Sequence, residues 1–340
     1  MIRIALAALS LAACAPKAPP APPATPPVAE PPAPLEGARS FAFTYAITVP
    51  PVEGGGPLDL YLPVPVDNDH QRITDLEIDS AIPGEILPPD PLGNRVWHGH
   101  ADALTAPWQV EMRFHAARAA FENEPPAHGR ALTDAERATY ARWLEPSALV
   151  PVGEDVEILK PLLAEVRAVA PDGDPAAQAR AIYDLVVDSM EYKKTGEGWG
   201  NGDTAWACSS KYGNCTDFHS VFLSLARTLG IPARFEMGFP VPTDKPEGEL
   251  GGYHCWVEFW LPEAGWVPLD ASEASKHPAD KELYFGAHPA DRVQFTVGRD
   301  LSFGQAGPPL NYLIYPYLES GGAPVKAAIT RRFAWKDLAG

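Results

Sequence analysis

The chain alternates before it coils. Phe41, Phe43, Tyr45 and Ile47 are separated by Ala, Thr and Ala, and Leu58, Leu60 and Leu62 repeat the pattern. Ile73, Leu76 and Ile78 follow it more loosely, and Trp108, Val110, Met112 and Phe114 restore it. An apolar residue at every second position describes a strand with one buried face. Turn clusters such as "GGGP" and "PPDPLGN" separate the runs. The spacing predicts an antiparallel sheet or sandwich from about Ser40 to Glu122.

Helical spacing then takes over. Thr133 and Glu136 have capping-box separation and open a short helix. Asp174 followed by Pro175 starts a stronger one, with Ala179, Ile182, Val186 and Met190 on one face. A third stripe, Phe218, Val221, Phe222, Leu225 and Leu229, is ended by Gly230 and Pro232. The segment before it, "GEGWGNGDTAWACSSKYGN", reads as a Gly- and Trp-rich loop. After Pro232 strands return in "ARFEMGF", "YHCWVEFW" and "GWVPLDAS", with several more from Val293 to Trp335. The order implies an α+β fold with no internal repeat.

The N-terminus changes the picture. "MIRIALAALSLAAC" is a basic start and an apolar run ending in small residues. It is too short to span a bilayer and reads as a secretory signal. Leu11-Ala12-Ala13-Cys14 resembles a bacterial lipobox, in which Cys14 becomes the lipid-modified first residue; the alternative is an ordinary signal cut near Ala13. From Ala15 to about Pro34 the chain is almost only Ala and Pro, an extended stalk rising ~3.1 Å per residue. Across 340 residues, 44 acidic against 27 basic side chains give a formal charge of -17. That balance argues against a general nucleic-acid binder, which needs a basic face.

Candidate chemistry centres on "YGNCTDFHS". Cys215 stands at or just before the first turn of the third helix, where unpaired N–H groups and the dipole favour the thiolate. The plainer alternative is a buried cysteine serving as a small hydrophobe. Thiolate chemistry needs a base and a group that orients the base. His254 begins one strand-forming run and Asp270 closes the next, so an antiparallel return would set them side by side.

These blocks, "YGNCTDFHSVFLSLARTLGIPARF", "YHCWVEFW" and "GWVPLDASEASK", resemble the three catalytic blocks of the bacterial transglutaminase-like superfamily: G-x-C, then H-x-W-V-E, then G-W-x-x-x-D. The resemblance covers roughly Asp174 to Ser275. It implies a transglutaminase-like, papain-like cysteine protease core, with Cys215 as nucleophile, His254 as general base and acid, and Asp270 as orienting carboxylate. "LPVP" and "GNRVWH" also look like the β-domain that precedes this module in secreted bacterial members. The implied organisation is a signal peptide (1–13), a stalk (14–37), an antiparallel β-domain (38–125), a catalytic domain (126–300) and a β-rich extension (301–340).

Each assignment has a rival. His219 shares a helix face with Cys215, Asp217 is a capping residue before it is a catalyst, and Glu258 and Glu273 are alternatives to Asp270. The family takes one oxyanion donor from the nucleophile's own N–H and a second from an upstream side chain; Tyr192, Trp199 and Trp206 are candidates. His98 and His100 share a strand face but lack further metal ligands nearby, and no calcium loop appears, so no metal or cofactor is expected. The resemblance implies attack on an amide or peptide carbonyl, an acyl-enzyme, and release to an amine or to water. The expected partner is a protein or peptide of the cell envelope, with a lipid anchor at Cys14; the alternative is a non-catalytic envelope scaffold. Strand alternation sets Cys255 away from Cys215 if His254 faces it. Any disulfide would then be Cys208–Cys255, with Cys215 left free.

Overall fold

The strand pattern of the first third is realised almost residue for residue. In a computed structural model that describes residues 35–52 and 56–339, β1 (Arg39–Val49) alternates buried and half-buried positions from Phe41 onward. It is followed by β2 (Leu58–Val64), β3 (Gln71–Ser80), β4 (Gly84–Ile86), β5 (Arg95–Ala101), β6 (Trp108–Arg118) and β7 (Phe121–Glu122). The loose pattern around Ile73 has a cause: the register of β3 slips between Thr74 and Glu77, with Asp75 at φ 52°. An extra residue in one strand of a pair breaks the period of two locally. The segments read as signal peptide, as lipobox at Cys14 and as stalk up to Pro34 lie outside the described residues.

Three helices follow. Thr133 caps α1 (Asp134–Thr139) in a capping box with Glu136. Next come α2 (Lys160–Val169), which buries Leu162, Leu163 and Val166, and α3 (Pro175–Ser189), capped by Asp174. Then β8 (Glu191–Tyr192), α4 (Thr204–Ser210) and β9 (Tyr212–Gly213) lead into α5 (Cys215–Thr228). The stretch expected to be wholly loop therefore contains α4, whose start is fixed by the Asp203 carboxylate accepting from the N–H groups of Ala205 and Trp206. Cys208 sits buried in that helix.

The remaining elements are β10 (Ala233–Pro240), β11 (Glu247–Glu249), β12 (His254–Leu261), β13 (Gly265–Leu269), α6 (Ala271–Lys276), β14 (Ala287–His288), β15 (Arg292–Val297), β16 (Tyr317–Ser320), β17 (Ala323–Pro324) and β18 (Thr330–Asp337). They assemble into an antiparallel sheet ordered β11-β18-β1-β6-β3, a second ordered β17-β16-β2-β5-β4, and a third, central to the site, ordered β13-β12-β10-β15. The short β8–β9 pair is parallel. The C-terminal strand β18 thus lies beside β1, at the opposite end of the sequence.

Aromatic packing joins the first sheet to the third. Phe43 stacks 5.2 Å from Phe114 of β6 and meets Phe239 of β10 at 5.5 Å and Phe295 of β15 at 5.8 Å. Tyr45 and Phe239 in turn pack on Phe333 of β18 at 4.7 and 4.5 Å. All are buried. On the third sheet, α5 covers the face of β12 that carries Phe259, which lies 5.9 Å from Phe222. That docking brings the start of α5 to the start of β12.

Candidate active site

The local sequence explains why a thiol can stand at this helix start. Asn214 is the N-cap, its side-chain oxygen accepting from the Thr216 N–H at 2.9 Å. Asp217, three residues on, accepts from the Asn214 N–H at 2.9 Å and closes a capping box. The same carboxylate accepts from the N–H groups of Gly200 at 2.7 Å and Gly202 at 3.0 Å. Asp217 therefore ties the preceding loop to the helix, which makes it a structural rather than a reacting group. Gly200 and Gly202 both have positive φ, 85° and 60°, a conformation glycine adopts without strain. Cys215 is the first helical residue, so its own N–H has no acceptor within the helix.

His254 and Asp270 come together as the strand order requires. β12 and β13 pair antiparallel, and the chain leaves β13 directly into α6, with Asp270 as the N-cap. The His254 Nε2–H donates to Asp270 Oδ2 at 2.7 Å. His254 also acts electrostatically on the Cys215 thiol, and with Nε2 committed to Asp270 its Nδ1 is the ring nitrogen left free of that bond. All three side chains are buried, with Cys215 only 1% exposed.

The electrostatics are those of an ion pair. Burial raises the Cys215 thiol, but hydrogen bonds from Cys255 and His254 and the nearby imidazolium charge outweigh it and hold the thiol well below its ordinary value. Burial likewise opposes the His254 imidazolium, yet the Asp270 carboxylate and the thiolate push it up to about 10. Asp270 is held well below the usual carboxylate range: burial opposes its charge, and His254 and Arg292 more than compensate.

Arg292 is a functional contact that the sequence did not signal. Its Nη1 donates to Asp270 Oδ2 at 3.2 Å while its Nε donates to Asp291 at 3.0 Å. Ser272 Oγ and the Glu273 N–H each donate to Asp270 Oδ1 at 3.0 Å. Tyr253 is a second such contact: its hydroxyl accepts from Asn214 Nδ2 and pairs with Thr216 Oγ1, each at 2.8 Å. Tyr253 thus locks the start of β12 to the start of α5.

The rival residues are placed as follows. His219 lies buried inside the cluster, its Nδ1 3.5 Å from Cys255 Sγ and its Nε2 3.6 Å from Asp270 Oδ1. Burial pushes it down to about 4, so it is neutral where His254 is charged. Glu273 Oε1 lies 3.6 Å from His254 Nε2, behind the closer Asp270. Glu258 pairs with Arg234 instead. His98 Nε2 and His100 Nδ1 both converge on Asp59, at 2.8 and 2.9 Å.

Among the described residues, one group of potential metal ligands converges, His254, Asp270 and Glu273, with atoms within 4.8 Å of one another. An ion there would take the nitrogen that bonds Asp270. Of the oxyanion candidates, Tyr192 is carried next to the nucleophile by pairing of Tyr192 with Gly213. Burial and the Cys215 charge both raise its hydroxyl. Trp206 packs against Gly198 and stands edge-on to Tyr212 at 5.3 Å. Trp199 is half-buried beside Gly200.

Two expectations about the thiols fail. Cys208, Cys215 and Cys255 are all free and buried, so no Cys208–Cys255 bridge forms. Cys255 is not turned away from Cys215: its thiol is raised well above the ordinary range by burial and then by the neighbouring Cys215. Alternation along β12 holds; its assignment to faces does not. The face covered by α5 is that of Cys255, whose thiol donates to Thr216 Oγ1 at 3.7 Å. His254 lies on the other face with Trp256, ring centres 6.0 Å apart. It reaches Cys215 because it is the first residue of the strand, level with the helix tip.

An uncharacterised protein of Haemophilus influenzae is 30% identical over 196 residues, which cover 48% of this chain and 53% of that protein, so the match spans about half of each. YebA of Bacillus subtilis, also uncharacterised, is 34% identical over 79 residues, covering 21% of this chain and 11% of its own length. A crystal structure from Cytophaga hutchinsonii, described as a candidate cysteine protease, superposes with a TM-score of 0.60 at 16% identity. It covers 89% of this chain and 92% of its own, so the α+β architecture with its N-terminal sheets is shared throughout. Residues 164–271 match the transglutaminase-like superfamily, and the chain therefore carries a transglutaminase-like domain within that larger fold.

Proposed function

We propose that Cys215, His254 and Asp270 form the catalytic centre of an enzyme acting on amide or peptide bonds in the bacterial cell envelope. The observation that carries this reading is the convergence of Cys215, at a helix N-terminus, with a His254 that donates to Asp270 at 2.7 Å, the thiol lowered and the imidazole raised by one another. In the reaction, the Cys215 thiolate attacks the carbonyl carbon and forms a carbon–sulfur bond. The imidazolium gives its proton to the departing amine as the carbon–nitrogen bond breaks. Water or a second amine then attacks the thioester, His254 takes its proton, and the thiolate is regenerated. Asp270 keeps the ring oriented and stabilises its charge, and Arg292 holds Asp270 in place.

The Cys215 N–H supplies one oxyanion donor and the Tyr192 hydroxyl the second. Loss of such a donor costs ~2.7–4 kcal/mol in the transition state. The envelope assignment rests on the sequence ending at Cys14. Cys14→Ser is expected to shift the protein from the membrane fraction to the soluble one or to block processing; a wild-type protein recovered wholly in the soluble fraction contradicts it.

A second reading, a scaffold that retains the fold, is favoured by the 1% exposure of Cys215, which a substrate must uncover. Mass analysis after incubation with an envelope peptide fraction separates the two. An adduct on the Cys215 peptide that hydroxylamine removes supports the thioester. Absence of any adduct at Cys215 together with peptides left uncleaved supports the scaffold.

A further inference from the structure

On the face of β12 away from α5 there is a cavity of about 730 Å³, within the range of small-molecule sites. Its apolar wall is Ile73 and Leu76 of β3 together with Trp143, and its polar wall is Arg118, Glu236 and Glu258. Arg118 is the anomaly. It is 1% exposed, its Nε has no hydrogen-bond acceptor among the described residues, and burial outweighs the pull of the nearby Glu236 and pushes it down to about 10. Other deeply buried arginines are bonded: Arg292 to Asp270 and Asp291, Arg227 to the carbonyls of Ala233 and Glu145, Arg299 to Asn311.

The carboxylates in the same wall are already engaged. Arg234 binds both, with its Nε 3.1 Å from Glu236 Oε1 and its Nη2 on Glu258. Burial and the adjacent Glu236 push Glu258 up to about 8. Both carboxylates are thus held by Arg234, and Arg118 makes no hydrogen bond or ion pair with either among the described residues. A buried charge without a partner is costly, and an occupant that supplies the partner removes the cost.

We propose that this cavity binds a small organic carboxylate of amino-acid size, with its carboxylate on the Arg118 guanidinium and its apolar body against Ile73, Leu76 and Trp143. Planar carboxylate matches the guanidinium fork. Asp67 and Asp69 also line the cavity, so a monoanion meets less repulsion there than a dianionic phosphate. The proposal does not depend on the reaction at Cys215.

The test is calorimetric titration of the full chain with 4-methylpentanoate, beside its uncharged analogue 4-methylpentanamide and inorganic phosphate. The acid should bind saturably and at least about tenfold more tightly than the amide, the effect of one charge-assisted contact. Arg118→Met should lose that preference while its ligand-free melting temperature stays equal or rises, since an apolar residue removes a buried charge. Arg118→Lys should keep part of the preference. Equal binding of acid and amide, no saturable heat from the acid, or tighter binding of phosphate than of the acid would each overturn the proposal. Should Arg118→Met not fold, the acid–amide difference on the wild-type chain decides alone.

Discussion

The sheet built around β1 and the cluster around Cys215 are both buried, yet they are held by different physics. The first is aromatic and aliphatic: Phe43, Phe114, Phe239 and Phe295 interlock with no polar partner to satisfy. Its stability scales with area and tolerates reshaping at constant volume. The second is a chain of charges in which each buried group depends on the next, from Cys215 through His254 and Asp270 to Arg292. Removing a link there changes the protonation of its neighbours rather than opening a void. The two regions should therefore fail in different ways.

The largest effect falls on turnover. Cys215→Ala should abolish the thioester adduct and all amide turnover while the urea midpoint stays close to that of the wild type; residual turnover by the purified variant would break the contrast. Next, Asp270→Asn should lower turnover by about 10⁴-fold, the scale seen when an orienting carboxylate is replaced in a hydrolase triad. Asp270 raises His254, so the alkaline limb of the rate profile, near pH 10 in the wild type, should move down in this variant. A limb that does not move would separate Asp270 from His254.

The aromatic sheet should respond in stability alone. Phe43→Ala is expected to cost ~3–5 kcal/mol in urea unfolding while leaving the alkylation rate of Cys215 in the folded protein unchanged. A changed rate would show that the two regions are coupled. The smallest effect concerns His219, which burial holds down to about 4 in the folded state, against about 6.5 unfolded. The unfolded chain binds the extra proton in that window, so His219 erodes stability as pH falls from about 6.5 toward 4. His219→Gln should flatten the slope of stability between those values by no more than ~1.4 kcal/mol per pH unit, one proton's worth. Urea unfolding at several pH values checks it, and an unchanged slope would mean that His219 does not titrate with folding.

The same contrast explains what was legible in the sequence. β1, β2 and β6 could be read directly because period two and burial coincide, and even the slip in β3 left its mark on the spacing of Ile73, Leu76 and Ile78. The helices α1, α3 and α5 announced themselves by capping residues and stripes. α2 carried a usable signal, Pro161 near its start and Leu162, Leu163 and Val166 on one side. α4 and α6 are too short for a stripe, and only their aspartate caps mark them. The pairing of His254 with Asp270 followed from the strand order. Which face of β12 receives α5 did not, because alternation states that two faces exist and not which is covered. Cys255 was misplaced for that reason. Arg292, 22 residues beyond Asp270, is brought in by β15, and no local pattern announces it.

The central claim is that Cys215 rests as a thiolate. Alkylation of the folded protein with iodoacetamide across pH, resolved by peptide mapping, tests it directly. Burial holds Cys208 up at about 11, and Cys255 also lies well above the ordinary range, so neither should compete. The account predicts that the Cys215 rate stays near its plateau well below pH ~8.5, the ordinary thiol value. A rate that falls away with a midpoint at ~8.5, like a free thiol, would contradict it.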